Sequence, residues 1–369
     1  MDLLEMLAKQ GNNVFVIMNS FLDYAPLSFI RIDFPLKYKR HHLPPASYLF
    51  KENIKRNLEN VKKVIFDSGV TSIDFLHIHG DIYLKSAIYI KKKMRVPLFY
   101  ASRCNDVDRA HILRHHGVLN FKEYLFSLVY EPINRFREKQ IKKYADIIAF
   151  LSTPDKIRFL ERTGCSESKT VVIPNHIGPP RFTPEWENKN HSRNVQKLVY
   201  VGSLSASKGL WDLLKALAIL KNRGYSSLYC SVLGRNEKAE KTYEFVKKLN
   251  LTEMVSIEGY KNPFPYFAEC DLFIYPTLYD AFGNVITEAL HTGCPVIASR
   301  VGGIPDLLAY PELLFESGNT GEIADRIERC IKDETFYAHI RKLCAERAEA
   351  HRFDWAGKFA EAMENYKGR

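Results

Sequence analysis

The chain has 369 residues, 46% of them hydrophobic and 26% charged, the composition of a globular protein long enough for two domains. No apolar run approaches the ~20 residues that span a bilayer, and the N-terminus carries acids where a signal peptide would carry positive charge, so the protein is expected to stay in the cytoplasm. Seven scattered cysteines without a C-x-x-C pair argue for reduced thiols and against a disulfide frame or a zinc site.

The net charge of +10 is unevenly placed. Residues 1–180 hold 28 basic and 18 acidic side chains, and the remaining 189 hold 25 of each. Segments such as RIDFPLKYKRHH and KKKMR carry the excess. A polyanionic partner is implied for the first half: anionic lipid head groups at the cytoplasmic face of a membrane, an anionic acceptor, or nucleic acid. The last is set aside, because no nucleic-acid recognition motif accompanies the charge.

In chain order, a helical run (DLLEMLAKQG) leads into the strand candidate NVFVIM, followed by IDFLHI, PLFYAS, DIIAFL and TVVIP. The second half adds KLVYVG, LYCSVLG, VSIEG, DLFIYP, PVIAS and ELLFE. Helical patterns lie between them, such as GLWDLLKALAILKNRG with Leu210, Leu213, Leu214 and Leu217 on one stripe. Short strands alternating with helices predict two α/β units with parallel sheets. The Pro- and Asn-rich stretch PNHIGPPRFTPEWENKNHSRN is the linker candidate. The expected units are therefore 1–175, 176–350 and a terminal helix over 351–369.

Ligands of open α/β sheets bind beyond the carboxyl ends of strands, where helix N-termini present amides. Two places in the second half suit this. In YVGSLSASKGL, Lys208 and Gly209 open a helix after a strand and a loop, and a cation at a helix start suits phosphate. The G-x4-G-K-[ST] spacing of a P-loop is absent. In TLYDAFGNVITEALHTG, Asp280 and Glu288 stand eight residues apart, with Gly283 between them. Asn284 reads as the N-cap of the helix that follows, with Val285, Ile286, Ala289 and Leu290 as its buried stripe and Glu288 on the edge. Asp280 and Glu288 are then expected to converge on one crevice. RVGGIPDLL supplies a further turn into a helix through Gly302 and Gly303.

DAFGNVITEALHTGCPVIASRVGGIPDLL resembles the family 4 retaining glycosyltransferases, which carry two acids eight apart around GFG, a small-residue turn, PVVA and GG. Asp280 stands where their first Glu is usual. VGSLSASKG is similar to their VGRL…KG, and FDW near the end to the start of their returning C-terminal helix. The resemblance is strong over 196–320 and weak over the first half. It implies the GT-B fold: two Rossmann-like domains facing each other across a cleft, the first on the acceptor side, with the last helix crossing back.

The resemblance also implies roles. Glu288 would hold the ribose of a nucleotide sugar, and Asp280 the transferred sugar, aided by amides near Phe282, Gly283 and Asn284. Lys208, with the Gly202–Ser203 loop, would neutralise the diphosphate leaving group, and Arg103 in PLFYASRCND would face the donor. The donor is expected to be a UDP- or GDP-sugar, with no cofactor and no metal, and the acceptor a glycan or lipid-linked molecule of the cell envelope. Three departures stand out. The family's clamp arginine is Ser203 here, with Arg235 in VLGRNEK as a candidate second cation. PNHIG replaces PNG-V-D. The family's first strand with its Gly-Gly loop has no counterpart at the start.

Other signals weigh less. Asp106-Val107-Asp108 matches the D-x-D of the other glycosyltransferase fold, but alone it is a weak pattern. His77 and His79 share one strand face, without a third ligand at suggestive spacing. A nucleotide-sugar epimerase of GT-B type and a non-catalytic nucleotide-sugar or polyanion-binding protein are the alternatives.

Overall fold

The computed structural model describes the strands at 15–19 and 30–34 and residues 74–80, 84–176, 195–235 and 239–367. The N-terminal helical run, most of the linker candidate and the KRHH loop lie outside the described residues.

Strand β1 (Phe15–Asn19) pairs in parallel with β2 (Ile30–Phe34). The second of these was not anticipated, because its FIRIDF sequence reads as part of a basic run. Four parallel strands follow in the order of the chain: β3 (Leu76–His79), β4 (Leu98–Ala101), β5 (Ile147–Phe150) and β6 (Thr170–Val172). Every residue of β4 and β5 is buried, which is what two covered faces require of a parallel strand. Helices α1 (Leu84–Met94), α2 (Asp106–His115), α3 (Phe121–Tyr144) and α4 (Thr153–Thr163) connect them.

The second half is a six-stranded parallel sheet in the order β12-β11-β10-β7-β8-β9. Its strands are β7 (Lys197–Val201), β8 (Tyr229–Leu233), β9 (Val255–Gly259), β10 (Leu272–Tyr275), β11 (Val296–Ser299) and β12 (Leu314–Phe315). The sheet winds outward in both directions from the β7–β10 pair, so that pair is its topological switch point. At such a point the flanking loops diverge, and ligands of open α/β sheets bind outside the carboxyl ends of the strands. The helices here are α5 (Leu210–Asn222), α6 (Ala239–Lys248), α7 (Phe264–Glu269), α8 (Asn284–His291), α9 (Ile304–Leu308), α10 (Thr320–Lys332) and α11 (Glu334–Ala350). Leu210, Leu213, Leu214 and Leu217 of α5 are all buried, as their spacing predicts.

The last helix, α12 (Trp355–Lys367), packs on the first sheet, not the second. Ala356 and Phe359 share a core cluster with Phe99, Ala101, Ile147, Ala149 and Ile173. The chain thus returns to its first half.

Candidate active site

Lys208 and Asp280 sit on the two sides of the switch point, Lys208 after β7 and Asp280 after β10. A 3-10 turn over Ala206–Lys208 ends at Gly209, whose backbone is left-handed (φ 71°) and lies against Pro276. A Cβ at Gly209 would come within 1.7 Å of the Pro276 carbonyl oxygen. Only glycine allows this approach, which delivers the lysine to the end of β10. Leu278 N donates to Ser207 O at 3.0 Å, tying the two loops together.

There Lys208 Nζ lies 2.8 Å from Asp280 Oδ2 and donates to the Tyr275 hydroxyl at 3.2 Å. That hydroxyl in turn donates to Asp280 Oδ2 at 2.7 Å. The other carboxylate oxygen, Oδ1, accepts from Phe282 N at 3.1 Å and Gly283 N at 2.8 Å. Burial alone would raise the Asp280 pKa, but Lys208, Tyr275 and the backbone amide outweigh it and hold the group below the usual carboxylate range. Burial, and then the charge of Asp280, push the Tyr275 phenol well above its ordinary value, so it remains a neutral donor.

Lys208, expected at the diphosphate, and Asp280, expected at the transferred sugar, form one ion pair here. The amides of Phe282 and Gly283, expected to face a sugar, both serve the carboxylate of Asp280. The Phe282 side chain is in the core, edge-on to His351 at 5.9 Å. Asn284 is not the N-cap: Gly283 (φ 92°) holds that position, and Asn284 is the first helical residue. Its side-chain oxygen accepts from Asn175 Nδ2 of the first half at 2.6 Å. Of the expected stripe, Ile286, Ala289 and Leu290 are buried and Val285 partly so, and Glu288 is half-buried in the second turn of α8.

The neighbouring loops complete the mouth. Gly202 N donates to Leu233 O at 3.0 Å, and Leu204 N to Arg235 O at 3.2 Å, so Arg235 adjoins the Ser203 loop through its backbone. Its guanidinium lies over the Tyr260 ring at 5.1 Å. Ser203 is exposed, and its hydroxyl is 3.0 Å from that of Ser205. On the first half, Arg103 follows β4 and lines a small pocket with His79, Asn175, Trp355 and Phe359.

The two halves touch around the acidic loop. Tyr279, next to Asp280, accepts from Asn105 N at 3.2 Å. Thr153 N, in the first turn of α4, donates to Asp306 Oδ2 of α9 at 2.6 Å. Tyr275, Tyr279 and Asn175 were not singled out from sequence. Tyr275 sits in an apolar run that reads as strand core, Tyr279 in the loop that was read for Asp280 alone, and only the position of Asn175 in PNHIG hinted at a role.

Two weaker signals are structural here. Asp108 accepts from Arg158 Nε and Arg162 at 2.6 Å each, and Arg158 also pairs with Asp155 at 2.6 Å, forming an ionic network. His77 and His79 lie 4.4 Å apart between centroids with their rings tilted by 34°, against Phe359 of α12.

Residues 182–350 match the model of the family described as glycosyl transferases group 1. The capsular polysaccharide biosynthesis glycosyltransferase CapM of Staphylococcus aureus is 32% identical over 253 residues, 64% of this chain and 63% of that protein. Three other curated relatives are matched over 50%, 71% and 79% of their own lengths, so the chain spans between half and four fifths of these three. Sucrose-phosphate synthase from Thermosynechococcus elongatus has the same fold, with a TM-score of 0.77 at 20% identity over 100% of this chain and 92% of that one. HepE of Anabaena, in complex with UDP-glucose, gives a TM-score of 0.64 at 20% identity over 84% and 82%. The two parallel-sheet halves thus have the GT-B fold of these structures, and the segment that holds Lys208, Asp280 and Glu288 is the one similar to the glycosyl transferases group 1 family.

Proposed function

We propose that the protein transfers a glycosyl group from a nucleoside diphosphate sugar to a glycan or lipid-linked acceptor of an envelope polysaccharide, with retention of configuration and without a metal. The observation that carries this reading is the Lys208–Asp280–Tyr275 cluster at the switch point of the sheet. It offers a cation for a diphosphate beside a carboxylate held ionised by its surroundings.

In this reading the donor diphosphate competes with Asp280 for Lys208. As the bond from the anomeric carbon to the phosphate oxygen breaks, negative charge grows on that oxygen, and the ammonium of Lys208 stabilises it. Asp280, kept anionic, orients the sugar and favours its developing positive charge. The acceptor oxygen attacks the anomeric carbon on the face the diphosphate leaves, and its proton passes to the departing phosphate oxygen. No enzymic nucleophile is needed. Glu288 would hold the ribose. CapM supports a capsular-type acceptor, and the HepE complex supports a UDP-sugar donor.

The test is product analysis with UDP-, GDP- and ADP-sugars, with and without chelator, on the parent and on Lys208→Ala. Transfer is expected to persist with chelator and to fall about 10²- to 10³-fold in the variant. Release of an epimerised free donor without transfer would overturn the reading, and abolition of transfer by chelator would overturn its metal-free part.

A further inference from the structure

Helix α3 presents to solvent a surface that folding does not explain. Of the ten exposed large apolar side chains among the described residues, six are on this one helix: Phe121, Tyr124, Leu125, Leu128, Val129 and Phe136. At 100° per residue, Phe121, Leu125, Leu128, Pro132 and Phe136 fall in one arc of about 80°. Phe121 is 79% exposed and Phe136 56%. The helix buries Tyr130 and Ile141 on its other side, so it is anchored and the outward stripe is surplus.

Charge on this helix is sorted by face. Lys139 and Lys143 continue the apolar arc into the last turns, both exposed, and Lys92 of α1 reaches the same end, 4.8 Å from the Tyr144 ring. The three acids of α3 lie off the arc and are engaged within the fold. Glu123 closes a capping box with Asn120, Glu131 pairs with Arg114 and Arg135, and Glu138 pairs with Arg162 at 2.7 Å. An apolar stripe with cations continuing it and no acid along it is complementary to a surface that is apolar inside and negative at its head groups. The 24 residues of the helix span about 36 Å, enough to lie along such a surface.

We infer that α3 lies on an anionic lipid bilayer, with Phe121, Leu125, Leu128 and Phe136 in the head-group boundary and Lys139 and Lys143 against the lipid phosphates. This goes beyond the donor chemistry and does not depend on it. It brings the first half to the surface from which a lipid-linked acceptor would be taken.

The full chain is sedimented with vesicles of phosphatidylcholine alone and of phosphatidylcholine with phosphatidylglycerol at 3:1. Binding is expected to the anionic vesicles, at least about tenfold over the neutral ones, and to weaken with salt. Leu125→Asp/Leu128→Asp is expected to lose at least about tenfold in partitioning, and Lys139→Gln/Lys143→Gln roughly fivefold per lysine. UDP-glucose binding, read on the same proteins, is expected to be unchanged by either pair. If the parent binds no vesicles, or if the aspartate variant binds them as well as the parent, the inference fails. It fails too if the aspartates turn a dimer into a monomer in sedimentation velocity, since the stripe would then join two copies. Loss of donor binding by the parent, with vesicle binding intact, would count against the catalytic reading and leave this one standing.

Discussion

Gly302 has no room for a side chain. Its backbone is left-handed (φ 55°), and a Cβ there would meet the Asp280 carbonyl oxygen at 1.7 Å. The next residue, Gly303, donates its N–H to that same oxygen at 3.2 Å. The RVGG turn therefore sets the height of the acidic loop above the sheet, and it was legible only as a Gly-rich turn. Gly302→Ala must push the loop away, at a cost of about 2–4 kcal/mol from strain and clash together. The expected outcome is a melting temperature lower by several degrees and weaker nucleotide-sugar binding by titration calorimetry. A variant that melts with the parent and binds equally well would remove the turn from the design of the site.

At the scale of the element, α2 and α4 show what one acid of a short motif does in the fold. Asp106-Val107-Asp108 has the spacing of a metal-binding pair, but its setting is a helix first turn. There the Asn105 side chain caps α2 by accepting from Asp108 N, while the Asp108 carboxylate faces two arginines of α4. Asp108 is 12% exposed and Arg162 15%, so removing the carboxylate leaves guanidinium charge partly desolvated. Asp108→Asn is expected to destabilise the fold by about 2–3 kcal/mol, measured by chemical denaturation, with transfer by the folded enzyme indifferent to chelator. Unchanged stability with loss of metal-stimulated transfer would favour the metal reading. Sequence shows only the D-x-D spacing at Asp108. It cannot show that Arg158 and Arg162, some fifty residues on, return to the same spot.

On the scale of the whole molecule, α12 closes over β3 and packs Phe359 against two half-buried histidines. Burial, followed by the charges of His79 and Arg103, lowers the His77 pKa well below its ordinary value. Burial and the Arg103 charge bring His79 down to about 4. Above the ordinary value of 6.5 both folded and unfolded chains hold these rings neutral, and the packing contributes in full. As pH falls through 6.5 the unfolded chain takes up protons that the folded one refuses, so stability drains away until about pH 4. For His79 the effect is on the order of 2 kcal/mol. The melting temperature is expected to fall between pH 7.5 and 5, with a shallower slope in His79→Gln. Equal slopes would show that acid acts elsewhere.

The sequence alone determined the two parallel-sheet halves, the acid pair at Asp280 and Glu288, Lys208 at its helix start and a final amphipathic helix, whose return to the first half only the resemblance implied. These rest on short-range patterns: apolar runs of strand length, 3.6-residue periodicity and glycines at turns. The structure decided which groups meet. Lys208 and Asp280 are 72 residues apart in the chain and become an ion pair only because β7 and β10 are neighbours at the switch point. Tyr275 joins them because the end of β10 turns its hydroxyl toward the carboxylate. Asn175 and Asn284, from different halves, meet because the halves close on each other. The same closure brings α12 over His77 and His79. Local backbone preferences set the elements, whereas the pairing of distant charges follows from strand order and from how two domains face each other.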